Sequence, residues 1–339
     1  MECAGEIAEY KKECGLPIFD AARENSLVEK NLKRIDKDEF KPYYRDYIKS
    51  VMNISKNYQH FLIKGSKVAY SGIEGSFAAI SAGKIFPGAK RVSYRNFEEA
   101  YKAVVDGECE LAVLPIENSY AGEVGNVLDL MFKGELFING VYELKVSQCL
   151  LGVKGATKDT IKTVVSHPQA LEQCNEFIYD NGYTSITSLN TAVAAKEVAE
   201  GGDITIGAIA SRETAELYGL NIIDHDINKS GSNTTRFAVF SKTRAEVKKD
   251  DEDIASILMF TVKNEAGSLA KAISIMGDLG LNMRGIKSRP LRDKNWEYYF
   301  YTEVEGYIDP DDKNIFLKAL KKHCAKLKVI GTYKPNSVI

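Results

Sequence analysis

Four polar clusters in this 339-residue chain hold side chains of the kind that bind a small anion and donate a hydrogen bond to it. The most C-terminal is Ser230-Gly231-Ser232-Asn233-Thr234-Thr235-Arg236-Phe237, read as a loop of small polar residues running into an apolar strand, Phe237 to Phe240. Hydroxyls and an amide sit there beside one fixed cation, Arg236, a set suited to a dianion. The others are Pro115-Ile116-Glu117-Asn118-Ser119, Ser166-His167-Pro168-Gln169-Ala170-Leu171 and Asn190-Thr191-Ala192, each at the end of an apolar run. One such stretch alone is most often an ordinary turn. The four together point to one composite site.

The elements that must position these clusters alternate. Val68-Ala69-Tyr70 reads as a strand, and the glycine-containing turn Ser71 to Phe77 leads into a helix whose first amides can hold an anion. Arg91 to Tyr94 reads as a second strand, Phe97 to Val105 as a helix, and Leu111 to Leu114 as a third strand ending at the Pro115 cluster. A second unit follows, with a long strand from Tyr142 to Val153 and a strand Thr163 to Val165 leading to Ser166 and a helix carrying Gln173. Thr184 to Leu189 then leads to Asn190-Thr191 and a helix to Glu200, and Ile204 to Ile209 is a further strand. This alternation argues a parallel α/β sheet with ligands beyond the carboxyl ends of its strands. Two such lobes leave a cleft between them.

The ends of the chain read differently. Residues 1–63 carry only helical periodicity, with a stripe of Phe40, Tyr43, Tyr47, Val51, Ile54, Tyr58 and Phe61. Three helices of this length need a second copy to bury such a stripe. The charged run 243–253 reads as a solvated linker. Beyond it the order is strand-helix-strand-strand-helix-strand, the ferredoxin-like plan, with Asp309 and Pro310 opening the last helix.

Composition excludes several classes. Net charge is −2 with both signs mixed along the chain, so no basic stripe invites nucleic acid. No apolar run approaches a membrane span. The six cysteines are scattered, without metal-ligand spacing, and read as reduced thiols of a cytoplasmic protein. No glycine-rich phosphate loop is present, so no nucleotide cofactor is expected, and the scattered cysteines and four histidines give no metal cluster.

Thr235-Arg236-Phe237, with the three upstream clusters, resembles the prephenate dehydratase family. The resemblance implies conversion of prephenate to phenylpyruvate with loss of CO2 and hydroxide. It makes Thr235 the main donor to the leaving hydroxyl, with Asn118, Ser166 and Gln173 as further catalytic positions. Glu117, Ser119, Asn190, Thr191, Thr234, Arg236 and Phe237 would surround the substrate. A threonine hydroxyl is too weak an acid to act alone, so Thr235 must donate within a network. Arg236 either meets a carboxylate or braces the loop through an ion pair, and Glu117 is either an acid or structural. His167, before a proline at a helix start, reads as a packing or capping residue.

Two further resemblances flank this one. Lys11, Asp20, Arg23, Glu24, Ser55 and Gln59 match positions of the helical chorismate mutase domain that often precedes the dehydratase in one polypeptide. Most of that domain's long first helix, with two carboxylate-binding arginines, has no counterpart. Met1 to Lys12 spans only about 18 Å as a helix. A truncated mutase segment without useful activity is the expectation. Gly267-Ser268-Leu269-Ala270 and Lys287-Ser288-Arg289-Pro290, with Asn282, resemble the phenylalanine site of the regulatory ACT domain, except that the family has Glu where Lys287 stands.

The expected organisation is therefore multidomain. It comprises a helical mutase-like segment (1–63), a two-lobed α/β catalytic domain of periplasmic-binding-protein type (66–242) and a C-terminal α+β ferredoxin-like ACT domain (254–335). L-Phenylalanine would inhibit from a site between two ACT domains of a homodimer or homotetramer. A non-catalytic amino-acid-binding regulator is the alternative of another class. The full set of Thr235, Asn118, Ser166 and Gln173 favours the enzyme, since a sensor has no use for all four.

Overall fold

A computed structural model describes residues 2–14, 21–229, 233–245, 247, 253–278, 280–291, 297–308, 315–335 and 337–339. The chain divides into two compact units, residues 1–67 with 88–90 and residues 68–87 with 91–339.

The smaller unit is helical. It contains α1 (Glu2–Glu13), α2 (Ala21–Leu32) and, after one 3-10 turn at Asp38–Phe40, α3 (Lys41–Lys64). Ala4, Ala8, Val28 and Leu32 are buried, and Lys56 on α3 pairs with Glu24 on α2 at 2.9 Å. The stripe running from the 3-10 turn along α3 is open: Phe40 of the turn and Tyr43, Tyr47, Val51 and Ile54 of α3 are all exposed. Lys11, Arg23 and Ser55 lie on these helices with partners of their own. Asp20 and the side chain of Gln59 lie outside the described residues.

The larger unit opens with β1 (Lys67–Ser71), α4 (Phe77–Ile85), β2 (Lys90–Tyr94), α5 (Phe97–Val105) and β3 (Leu111–Asn118). It continues with β4 (Gly122–Glu123), α6 (Gly125–Lys133) and β5 (Phe137–Lys145). A second lobe holds β6 (Cys149–Gly152), β7 (Thr163–Ser166), α7 (Pro168–Gln173), α8 (Asn175–Asp180) and β8 (Thr184–Thr187). It ends with α9 (Thr191–Gly201), β9 (Ile206–Ala210), α10 (Arg212–Tyr218) and β10 (Asn221–Asp224). The chain then returns to the first lobe as β11 (Thr234–Ser241).

Both sheets are mixed rather than parallel. β1 runs parallel to β3, but β11 inserts antiparallel between β3 and β5 because it arrives from the other lobe. In the second lobe β7 is parallel to β8 and β9, while β6 is antiparallel to β9 and β10. The single long strand expected from Tyr142 to Val153 is two strands, broken at Val146-Ser147-Gln148 where the chain changes lobe. The break is pinned: Val146 N donates to the Asn233 carbonyl at 2.8 Å and Gln148 N to Asn228 Oδ1 at 3.0 Å. β3 runs through Pro115, which offers no N–H to a ladder, and the β11 register slips at its partner, between Arg236 and Phe237.

The C-terminal region has the ferredoxin-like order: β12 (Ala255–Val262), α11 (Ser268–Asp278), β13 (Met283–Pro290), β14 (Tyr298–Glu305), α12 (Ile315–Lys321) and β15 (Cys324–Tyr333). Residues 309–314, where the cap of the last helix was expected, lie outside the described residues. A short β16 (Ser337–Val338) follows and pairs with β5. Its sheet joins that of the first lobe, in the order β13-β14-β12-β15-β5-β11-β3-β1-β2. The cores merge as well: Ile257, Met259, Tyr299 and Ile330 bury with Leu114, Phe132 and Phe240. Tyr299 stacks on Phe132 with ring centroids 4.4 Å apart.

The join depends on one glycine. Gly331 of β15 lies opposite Ile138 of β5, and a Cβ there would overlap the Ile138 carbonyl and amide. Gly331→Val should therefore cost about 1–3 kcal/mol by forcing the strands apart. Denaturant unfolding of the full chain checks this; an unchanged midpoint and slope would show that the strand crossing is soft.

Candidate active site

A cleft of about 280 Å³ lies between the two lobes. Its wall includes Ser76, Phe77, Phe97, Asn118 and Thr235 from the first lobe. The second lobe and its crossing segment supply Gln148, His167, Gln169, Gln173, Asn190 and Thr191. The wall is made of helix beginnings. Ser76 caps α4 by accepting from Ala79 N, Asn96 caps α5 from Glu99 N, and Asn190 caps α9 from Val193 N. Each cap satisfies one of the orphan amides of a first turn and leaves others, together with the positive end of the helix dipole, for a ligand. No lysine, arginine, aspartate or glutamate is among the described lining residues. An anion here would be held by backbone amides and neutral side chains.

His167 lines this cleft as a cap. Its Nδ1 accepts from Gln169 N at 3.2 Å, and burial lowers the imidazole below its ordinary value. A ring whose Nδ1 is an acceptor and whose charging is disfavoured is neutral at pH 7, with its proton on Nε2.

A chain of amides runs along the floor. Asn233 Nδ2 donates to Gln173 Oε1 at 3.0 Å, and Asn118 Nδ2 donates to Asn233 Oδ1 at 2.8 Å and to Thr235 Oγ1 at 2.9 Å. Asn118 Oδ1 accepts from the amides of Tyr120 and Ala121, which fixes the orientation of the whole group. Asn118, Asn233 and Gln173 are all buried. Thr235 Oγ1 thus accepts from a locked amide, and its own O–H has no acceptor among the described residues. It is free to donate into the cleft, and the amide donation makes it a better donor.

Thr235 and Asn118 are register partners on β11 and β3, and so are the next pair, Arg236 and Glu117. Successive strand residues face opposite sides, so the second pair points away from the cleft. Arg236 Nη1 lies 3.3 Å from Glu117 and 3.0 Å from Glu303 of β14, and Nη2 donates to Tyr333 of β15 at 3.0 Å. Glu117 also pairs with Lys287 of β13. Burial alone would lower the Arg236 guanidinium, but Glu303 overrules it and holds it above its ordinary value. Burial likewise pushes the Glu117 carboxyl up, but Lys287 and Arg236 together leave it below the usual carboxylate range. Arg236 is therefore the centre of an ion-pair cluster rather than a ligand of the cleft.

The expected residues separate accordingly. Asn118, Gln173, Asn190, Thr191 and Thr235 meet at the cleft. Ser166 is fully buried and donates its hydroxyl proton to the Ile209 carbonyl at 2.6 Å, so it braces β9. Ser119 Oγ accepts from Thr234 N at 2.9 Å and closes the β3–β11 ladder. Phe237 is core. Thr234, Thr235 and Arg236 are strand rather than loop, and residues 230–232 lie outside the described ones. Of the expected phenylalanine-site residues, Gly267 has φ +81° at the start of α11 and Leu269 packs into the C-terminal core. Ser268 and Ala270 open α11, and Asn282 accepts from Glu305 N at 2.8 Å. On β13 the side chains alternate. Ser288 and Pro290 are exposed, whereas Lys287 meets Glu117 and Arg289 meets Asp129 of α6 at 3.2 Å.

A family profile for prephenate dehydratase matches residues 68–245, more than half of the chain. The chain belongs to the prephenate dehydratase family. Profiles for chorismate mutase type II and for the ACT domain match residues 1–60 and 256–313. The arogenate dehydratase/prephenate dehydratase 1 of Arabidopsis thaliana chloroplasts is 32% identical over 286 residues, covering 80% of this chain and 73% of that one. The bifunctional chorismate mutase/prephenate dehydratase of Aquifex aeolicus is 30% identical over 341 residues, covering 97% and 90%. A solved structure described as GqqA, a novel type of quorum quenching acylase, is 30% identical with a TM-score of 0.71, covering 79% and 97%.

Asn233 and Gln148 are among the residues of this dehydratase cleft that the sequence did not mark as site residues. Asn233 was visible in its polar stretch, but its place between Gln173 and Asn118 spans more than a hundred residues of chain in one direction and sixty in the other. Gln148 stood inside an apolar strand pattern and gave no signal. It is 2% exposed, lines the cleft, and its Oε1 has no hydrogen-bond partner among the described residues.

Asn118→Leu should destabilise the dehydratase by about 1–3 kcal/mol, because it leaves two backbone amides and the Asn233 carbonyl oxygen unpaired. Thermal unfolding beside the wild type measures it. A melting temperature equal to wild type would mean that water replaces the amide without loss.

Proposed function

We propose that the chain converts prephenate to phenylpyruvate, with the free Thr235 hydroxyl as the observation that carries the reading. In the substrate the ring carboxylate leaves as CO2, and the electrons of that C–C bond enter the ring. The ring C–O bond breaks at the same time, and its electron pair departs on oxygen. The products are phenylpyruvate, CO2 and hydroxide, and the two negative charges of prephenate are conserved. Charge develops on the leaving oxygen, where Thr235 donates. Asn118, Asn233 and Gln173 hold that donor in place, and the helix starts at Ser76, Phe97 and Asn190 receive the carboxylates. A cleft with no acidic side chain among its described lining residues favours the keto side chain of prephenate over the ammonium of arogenate. Two exposed free cysteines, Cys3 and Cys14, suit a reducing cytoplasm.

The ACT segment gives the same enzyme a regulator, L-phenylalanine. The positive φ of Gly267 and the outward face of β13 at Ser288 and Pro290 form the side available to it. A second copy completes such a site, consistent with the open stripe on α3 and a homodimer or homotetramer.

Thr235→Val should cut kcat by ~10²–10³ with the fold intact, the usual effect of deleting one donor at a developing charge. Thr235→Ser should keep most of it. Phenylpyruvate formation is followed with prephenate and arogenate in parallel. Wild-type-like turnover by the valine variant would remove Thr235 from its role, and preferential use of arogenate would correct the substrate.

Titration calorimetry on the full chain should show L-phenylalanine binding, with Gly267→Val abolishing it because a β-branched residue cannot adopt φ near +80°. Heat-silent titration of the wild type at millimolar ligand would refute the regulatory site.

A further inference from the structure

The two residues at the centre of the site have strand neighbours whose side chains reach into the C-terminal domain. Glu117 precedes Asn118 and pairs with Lys287; Arg236 follows Thr235 and pairs with Glu303 and Tyr333. The pairs are packed, not surface decoration: the Glu303 side chain is 6% exposed and the Arg236 side chain 22%. Lys287 also stands 5.8 Å from the centre of the Tyr301 ring, and Arg284 approaches Glu303 at 4.0 Å. Two carboxylates are thus interleaved with three cations across the boundary between the catalytic lobe and β13, β14 and β15.

We propose that Lys287 and Glu303 are positioning residues of the dehydratase, acting through Glu117 and Arg236 to hold Asn118 and Thr235 in reacting geometry. The inference rests on the prephenate reading above. Its physical basis is the rigidity of a strand. A Thr235 hydroxyl displaced by a fraction of an ångström no longer points at the leaving oxygen, and β11 and β3 are fixed at that level by these side chains. Pro115 and the register slip beside it weaken the ladder just beyond the two pairs. The ions therefore carry alignment that backbone hydrogen bonds would otherwise supply. A glutamate at 287 would face Glu117 with like charge, whereas the lysine locks it. Any ligand that shifts β13 or β14 would reach the catalytic pair by this route.

The test compares Lys287→Met, Lys287→Arg and Glu303→Gln in the full chain, with kcat, KM and melting temperature measured for each. Lys287→Met and Glu303→Gln should each lower kcat about tenfold or more, as misalignment does, with KM within about twofold. Lys287→Arg should recover most of the loss. The acid limb of kcat supplies a second readout. Glu117 faces Lys287 on β13, Arg236 on β11, Tyr301 on β14 and, across the ladder, Glu123 on β4. Removing the lysine lets the Glu117 carboxyl rise, so kcat in Lys287→Met should begin to fall at a higher pH than in the wild type. A purely structural lysine would leave that limb in place. Should Glu303→Gln fail to fold, Lys287→Met, at a less buried position, decides alone. Folded Lys287→Met with wild-type kcat and an unmoved acid limb would overturn the proposal. A loss confined to KM would overturn it too. A wild type that does not turn over prephenate would overturn the function itself and this inference with it.

Discussion

The antiparallel pairing of β11 with β3 is the constraint on which the rest depends. It sets Thr235 opposite Asn118 and Arg236 opposite Glu117. Because strand side chains alternate, one register choice creates two surfaces at once. One is a neutral, hydrogen-bonded floor for the cleft, and the other is a charged seam against the C-terminal domain. A slip by one residue would put the guanidinium in the cleft and the threonine in the seam.

That division solves an electrostatic problem. A dianion must be held without locking it through a strong ion pair, since binding the ground state and transition state equally well gains nothing in kcat. Dipoles from helix starts and an ordered amide chain are fixed before the substrate arrives and need no reorganisation during reaction. The charged groups are kept near by but turned away, where they neutralise one another. The imidazole of His167 is spent on its own helix cap and kept neutral by burial, so the described lining of the cleft carries no group that ionises at neutral pH.

The shared sheet makes the C-terminal domain structurally continuous with the first lobe. Its strands continue the sheet of the first lobe, its aromatic residues complete that lobe's core, and its cations and carboxylates reach the strand ends that carry the site. Tyr299 illustrates the mutual dependence: its ring stacks on Phe132, and its hydroxyl donates to Asp129, which also holds Arg289. A ligand that displaced β13 would need no separate lever to reach the first lobe, because Lys287 and Arg289 already touch it at Glu117 and Asp129.

The sequence by itself determined much of what is local. The cap at His167 was legible because it acts on an amide two residues away. The strand–helix alternation and the ferredoxin-like order were legible from periodicity, and the family from its polar clusters. What only the tertiary structure decided is long-range. Ser166 reads as a site residue until its hydroxyl is seen to donate to the Ile209 carbonyl, 43 positions away. Arg236 could meet a substrate or a carboxylate until β11 was seen to place it against Glu303. Lys287 looked like a defect in a ligand motif until it was found beside Glu117, 170 residues earlier. Periodicity says that two neighbours face opposite sides of a strand, but not which side holds the cleft. That depends on which strands pair and in what register, and the interactions that fix it join residues far apart in the chain.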